Sequence, residues 1–463
     1  MAGLSSLLER FSNAAPIAVM ARASLTRLFS DDLLDQIFED YATRQYTKQL
    51  AFSSAFWLMV DVVTKAKPSL NAAFQNEKES FAVSVQSVYN KINHTELPIL
   101  ENLVAITAGN IEEVMKCWNN PQPELIRGFS CRIIDGNVLA GTNHRIMELR
   151  ETRAAALPGR STCFYNCQTR LIDDIVLDKN GHAQDRSQID SILIRVRKGE
   201  AIIGDAGYCT QKMMAGIQSR RAYFILRKPS NTAITRVGKE QKVGTSDTGH
   251  IYEQRCVLNC KDGTVLQLRL ITIKRFKPTS AGKMVVELLT NLPARVKAVN
   301  IAKAYRKRWT IENAFQDLGE VLATEINTLG YPSAALFGFA VGCVLQNMHS
   351  MIEQSLRIVH KSKLEPTQRL SRYKLAIEIK TTTPGMEIAI ESLVWERTFS
   401  KLSTKEFANW LLAMAKRTDV KDYLPYKWSP KGPPRKRKSG NRGNHVATHT
   451  LLLERKTLTK HHL

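Results

Sequence analysis

The chain has 463 residues and a mass of 52.2 kDa, with 43% apolar and 24% charged residues. Those proportions suit a protein that buries a core, and they exclude a mainly disordered chain, a collagen-like repeat and a small disulfide scaffold. Sixty-six Lys and Arg against 43 Asp and Glu leave a formal charge of +23, which points to an anionic polymer or surface as partner. The excess is concentrated. Residues 201–300 and 401–463 each carry a net +11, while the rest is close to neutral, a pattern of two cationic surfaces.

Eight cysteines are spread along the chain. The pairs Cys163/Cys167 and Cys256/Cys260 are C-x3-C, and on an extended strand such positions lie about 13 Å apart, too far to share a zinc ion. Reduced thiols in a cytosol fit better. No stretch reaches the roughly 20 apolar residues needed to cross a bilayer, and residues 334–345 read as a buried helix. Glu9 and Arg10 precede only a short apolar run, unlike a signal peptide. A cytoplasmic protein with no membrane partner is expected.

Residues 1–125 read as a helical N-terminal domain, either a dimerisation or sequence-reading module or simply a helical cap. Leu33, Leu34, Ile37, Phe38 and Tyr41 recur at helical spacing after Ser30-Asp31-Asp32, an N-cap signal. Further apolar segments run over 52–63 and 97–114. From 126 to 228 strands interleave with short helices, the pattern of an α/β domain. Strands are predicted at 130–134, 161–165, 171–177, 201–204 and 222–227, and a helix at 209–219. The first strand is predicted to stop at a turn, Asp135-Gly136-Asn137, with the return starting at Asn137. Residues 229–293 form a basic, β-rich insertion with strands at 250–258, 264–274 and 284–289 and a hairpin at Lys261-Asp262-Gly263. Residues 294–428 turn helical, with one helix over 302–322 and an apolar one near 334–351. Residues 429–463 hold nine basic residues against one acidic, including Arg435, Lys436, Arg437 and Lys438, and read as a flexible basic tail.

Asp135 and Asp205 share one local grammar: each follows a short apolar strand and precedes small residues. Taken singly, each is an ordinary turn residue. Together they place two carboxylates at the mouth of a sheet, where α/β proteins collect ligands. Magnesium takes hard oxygen ligands, and two such ions about 4 Å apart can clamp the attacking and leaving oxygens of a phosphodiester. A third acid from a helix would complete the set. Tyr305, Arg308 and Glu312 share a helical face at i, i+3 and i+7, with Arg306, Lys307 and Trp309 beside them. Arg forks onto phosphate and Trp stacks on bases. The plainer alternative is a solvated helix with an Arg308–Glu312 surface pair. Asp173, Asp174 and Glu320 compete for the same roles.

Asp135 after a strand, Asp205 in Ile-Ile-Gly-Asp-Ala-Gly-Tyr, and Tyr305-x2-Arg308-x3-Glu312 after a β-rich insert together resemble the DDE transposases of bacterial insertion sequences. The likeness is to the family marked by a Tyr-Arg-Glu-Lys signature. Asn143-His144-Arg145 through Arg150, residues 181–186 and residues 288–292 resemble it too. The resemblance covers roughly 130–350. It implies an RNase H-like core with a β-rich insertion, and metal-dependent cutting and joining of DNA at the ends of an element. Asp135, Asp205 and Glu312 would hold two magnesium ions, with manganese as the alternative. Tyr305, Arg306, Lys307, Arg308, Trp309 and Arg435, Lys436, Arg437 and Lys438 would contact DNA. The implied partners are double-stranded DNA, as inverted repeats and target, and a second copy of the chain when DNA is bound. The implied location is the bacterial cytoplasm and nucleoid.

Two departures stand out. The signature lysine falls on Gly319, a costly residue inside a helix. Residues 206–308 contain no Trp, which leaves Trp309, Tyr252 or Phe276 to stack on a flipped base. Rival readings are an inactive DNA-binding relic, a nuclease without end specificity and, from residues 434–438 alone, a basic nuclear factor.

Overall fold

A computed structural model describes residues 6–44, 50–139, 147, 158–279, 282–326, 329–365, 368–426 and 448–460. Seven helices come first: α1 (Ser6–Ala14), α2 (Pro16–Leu28), α3 (Asp31–Tyr41), α4 (Phe52–Val63), α5 (Leu70–Asn76), α6 (Val85–His94) and α7 (Leu97–Lys116). Ser30 caps α3 by accepting the Leu33 N–H, as its position predicts. The α/β segment comes next as β1 (Cys131–Val138), β2 (Arg160–Asn166), β3 (Ile172–Asp178), α8 (Ile189–Ile194), β4 (Ala201–Gly204), α9 (Gln211–Ser219) and β5 (Tyr223–Arg227). Four further strands succeed it: β6 (Thr235–Ser246), β7 (Gly249–Asn259), β8 (Val265–Arg275) and β9 (Val285–Thr290). The remainder is α10 (Ala298–Arg306), α11 (Trp309–Gln316), α12 (Pro332–Val359), α13 (Arg372–Ala389), α14 (Ser392–Trp395), α15 (Thr404–Arg417) and α16 (Thr448–Lys460).

All nine strands form one sheet in the order β3-β2-β1-β4-β5-β9-β8-β7-β6. β1, β4 and β5 run parallel at its centre, while β2 and β3 pair antiparallel on one side. The β-rich insertion does not fold apart. Its last strand, β9, pairs antiparallel with β5, so β6 to β9 extend the same sheet.

Side chains alternate across the sheet, as a period of two requires. Ile133, Ile203 and Ile225 join the larger core with α7 and α12, whereas Ile134, Ile202 and Phe224 join a second core with α8 and α9. The larger core is centred on α12, which touches α2, α4, α6, α7, α15 and β3. The N-terminal helices are therefore built around the same core helix. By length and hydropathy α12 could span a membrane, but its most apolar window lies wholly inside the fold. Its polar residues work inside: the Asn347 amide donates to the Ile172 carbonyl and accepts the Ile172 N–H, both at 2.8 Å, closing the β3 edge.

Four expectations are corrected. Asp135-Gly136-Asn137 is not a turn: β1 runs through it because residues 135–138 pair antiparallel with residues 160–163, and the return is β2. The helix expected over 302–322 is three pieces, α10, α11 and a π-helical turn, Asp317–Val321, with a break at 307–308. β6 was not expected, because its exposed Lys, Gly and Gln residues carry no apolar alternation. Part of the expected flexible tail, Thr448–Lys460, is helical with Thr448 buried.

The insertion also positions the helices after it. Arg269 on β8 donates to the Leu292 and Pro293 carbonyls at 3.2 and 2.9 Å and fixes the entry to α10. Asp247, in the β6–β7 turn, pairs with Arg306 at the end of α10.

Candidate active site

The register of the parallel strands builds the site. Ile133 lies opposite Ile203, and Ile203 opposite Ile225. Continued for two residues, that register sets Asp135 beside Asp205 and Arg227 next in the row. Asp205 directly follows the end of β4 while β1 runs on past Asp135, so by strand alternation the two carboxylates face the same side of the sheet. That face is the one Ile133, Ile203 and Ile225 share, toward α11. Each aspartate is held by the next backbone N–H along the chain. Asp135 Oδ1 accepts the Gly136 N–H at 3.0 Å, and Asp205 Oδ1 accepts the Ala206 N–H at 2.5 Å.

Glu312 arrives on α11, the short helix against β1. Ile311, Ala314 and Leu318 anchor it in the core, leaving Glu312 turned to the strand ends. Arg308 stands between the acids. It donates to Asp135 Oδ2 at 2.8 Å and to Glu312 Oε1 at 3.0 Å, while its Nε is buried without a hydrogen-bond partner among the described residues. Tyr305 is buried beside Arg308. Arg227 lies 4.0 Å from Asp205.

The charges strain against one another. Burial, with Asp205 and Glu312 close by, pushes the Asp135 carboxyl up to about 6, against the pull of Arg308 and the Gly136 N–H. Burial pulls the other way on Arg308, but Asp135, Tyr305, Asp205 and Glu312 hold it above its ordinary value. Burial and the neighbouring Asp205 push the Tyr305 hydroxyl to about 12. Asp135 is only 19% exposed, whereas Asp205 and Glu312 are 39% and 41% exposed. The site thus has one deep carboxylate and two at its mouth.

The donor set suits a hard divalent cation, being all carboxylate oxygen on converging elements. Among the described residues, no three Asp, Glu, His or Cys side chains stand close enough to share one ion as they are placed. Two of the three acids are turned onto the Arg308 guanidinium, which occupies the position of a cation between them.

The competing acids are used elsewhere. Asp173 pairs with Arg132 and Arg197, and Asp174 with Arg195. Glu320 accepts from Gln316 on an exposed part of the helix end. Trp309 is 55% exposed at the start of α11, with the Arg308 guanidinium 5.1 Å from its ring centre. Arg306 is drawn to Asp247, away from the acids. Lys307 opens onto a cavity of about 740 Å³ on the far side of α11, also lined by Arg170, Asp317, Arg369 and Arg372. A side chain at Gly319 would point into open space. Next to it, Lys65 Nζ donates to the Glu320 carbonyl at 2.7 Å. Arg435, Lys436, Arg437, Lys438 and residues 143–146 and 148–150 lie outside the described residues. Arg227 was missed by the sequence reading; its signal was the cation that ends the strand Ala-Tyr-Phe-Ile-Leu-Arg.

Residues 129–333 match the family described as the transposase DDE domain. This segment of the chain is thus similar to the transposase DDE domain. A Sinorhizobium fredii protein named as a transposase, y4zB, is 32% identical to this chain over 127 residues, 27% of this chain and 34% of that protein. The chain therefore spans about a third of that relative's length. The matched segment contains β1 to β9, α10 and α11, and so all three candidate acids.

Proposed function

We propose that this chain is a DDE transposase that cuts and joins DNA at the ends of an insertion sequence, using two magnesium ions held by Asp135, Asp205 and Glu312. One observation carries the reading: two aspartates stand two residues beyond the paired Ile133 and Ile203 of adjacent parallel strands, and Arg308 ties the helix-borne Glu312 to the first of them. The strand order β3-β2-β1-β4-β5, three antiparallel strands and then two parallel to the first, supports an RNase H-like core. When bound, the ions activate the attacking oxygen and stabilise the leaving one, with manganese as a substitute.

The protein's own groups do the rest. Asp135 supplies the deep ligand, while Asp205 and Glu312 remain reachable from solvent. Arg308 carries a fork that fits a phosphate as well as a carboxylate. Trp309 offers an exposed ring beside it for stacking on a base. Arg306, Lys307 and the cationic tail residues Arg435, Lys436, Arg437 and Lys438 add phosphate contacts, so binding should weaken steeply with salt. Strand cleavage by water frees a 3′-hydroxyl, which then attacks target DNA without a covalent protein intermediate. The substrates are inverted repeats and target duplex, the working form on DNA is a homodimer, and the location is the bacterial cytoplasm and nucleoid.

The test uses duplex carrying the terminal repeats that flank the gene. With magnesium, the wild type should nick and join it, and Asp205→Asn and Glu312→Gln should fall to background while still binding. Cleavage retained in either variant overturns the assignment. Equal cutting of random duplex would favour a nuclease without end specificity, and no joining by the wild type would favour an inactive relic.

A further inference from the structure

A second ion pair lies directly behind the acids. Arg160 opens β2 and faces Val138 across the strand pair. Val138 shares its parity with Ile134 and Gly136, so this is the sheet face opposite the carboxylates. Arg160 pairs there with Asp185, which begins a short 3₁₀ turn before α8, and also donates to the Ala183 carbonyl. The Arg160 side chain is 11% exposed.

Two glycines make room for the pair. A Cβ at Gly136 would collide with Arg160 Nη2 and come within 2.9 Å of Asp185 Oδ1. A Cβ at Gly207 would come within 2.5 Å of Asp185 Oδ2. Gly136 directly follows Asp135, and Gly207 is two residues after Asp205. One ion pair is thus pressed against the backbone just beyond both aspartates. Neither glycine has a left-handed backbone, so each is required here for close approach and not for conformational freedom.

We propose that Arg160 and Asp185 are positioning residues that set the separation and aim of Asp135 and Asp205. This rests on the reading of those aspartates as metal ligands. β4 ends at Gly204, so no ladder bond continues beside Asp205 to hold it at a fixed distance from Asp135. The pair supplies that link, since Asp185 touches the segment after Asp205 while its partner Arg160 touches the segment after Asp135. Outer groups that orient metal ligands typically change metal affinity by about 10–100-fold when removed.

The test measures manganese binding to the full-length, DNA-free protein by the loss of the free-ion electron paramagnetic resonance signal, beside the magnesium dependence of end cleavage. Asp185→Asn should weaken manganese binding by about 10–100-fold and raise the half-saturating magnesium concentration alike. Binding to end DNA should stay within about twofold, and most of the cleavage rate should return at saturating metal. Arg160→Lys, which keeps the charge, should lie between Asp185→Asn and wild type. Gly136→Ala, which pushes on the pair without removing it, should shift metal dependence in the same direction. The inference is overturned if Asp185→Asn melts earlier with unchanged metal dependence. Should Asp185→Asn not fold, unchanged metal dependence in a folded Gly136→Ala overturns it. Asp205→Asn is the separate control: if it binds manganese normally, the metal-site reading itself fails, whatever Asp185→Asn does.

Discussion

β1 carries two arginine–carboxylate networks, one at each end, and they are built to opposite plans. Near its start, Arg132 is fully buried and every face of its guanidinium is used. It donates to both Glu200 oxygens at 2.7 Å, to the Arg195 carbonyl at 2.5 Å and to Asp173 at 3.3 Å. Arg197 gives Asp173 a second cation. Near the other end, Arg308 serves Asp135 and Glu312 with two bonds and leaves its Nε unused. Among the described residues, the cation paired with Asp205 is Arg227, at 4.0 Å. The first network closes its charges on themselves and joins β1 to the loop before β4. The second holds more negative charge than its cations cover and stays open to solvent. A balanced buried network is structural, whereas the surplus of like charge in the second is what the proposed cation site rests on.

Breaking the closed network should produce the largest effect. Arg132→Met leaves Glu200 and Asp173 buried without their main partner and should cost about 3–5 kcal/mol in denaturant unfolding. A loss below about 1 kcal/mol would erase the contrast, since surface pairs are worth that much. Arg308→Gln acts at the open network. It removes the resident cation, so manganese should bind the DNA-free protein at least about tenfold more tightly, equivalent to about 1.4 kcal/mol. Equal or weaker binding would show that Arg308 does not compete for the acids.

The smallest effect concerns pH. Asp135 sits near 6 when folded, against an ordinary value of 3.8. A carboxyl raised on folding stabilises the protein below its unfolded value, and that contribution is lost as pH rises through the folded value. Asp135→Asn should therefore flatten the fall in metal-free stability between those two pH values, as read from urea midpoints. An unchanged slope would mean that burial and the neighbouring acids do not raise the Asp135 carboxyl on folding.

Much of the sheet was legible because apolar runs with Gly and Asp punctuation are strand signals, and β2 to β5 lie within a residue or two of expectation. The exposed β6 was illegible because its ladder is held by β7 and not by a buried apolar face. Asp135-Gly136-Asn137 misled for a related reason: its residues resemble a turn, but the neighbouring β2 satisfies their backbone. The candidate acids Asp135, Asp205 and Glu312 were picked out by their order along the chain and their likeness to a family. Arg227, Arg160 and Asp185 were not picked out as site residues, because strand register and close approach between glycines are not contained in a linear reading.

The Asp247–Arg306 contact gives the outermost hairpin a lever on the chemistry. That turn belongs to the strands farthest from the acids in the sheet order, yet it grips a residue two positions before Arg308. On the proposed function, a nucleic acid lying along this hairpin would pull on the same short segment that carries the central guanidinium. Seating of DNA on the periphery and movement of Arg308 would then be mechanically joined, over a distance bridged by a single helix end.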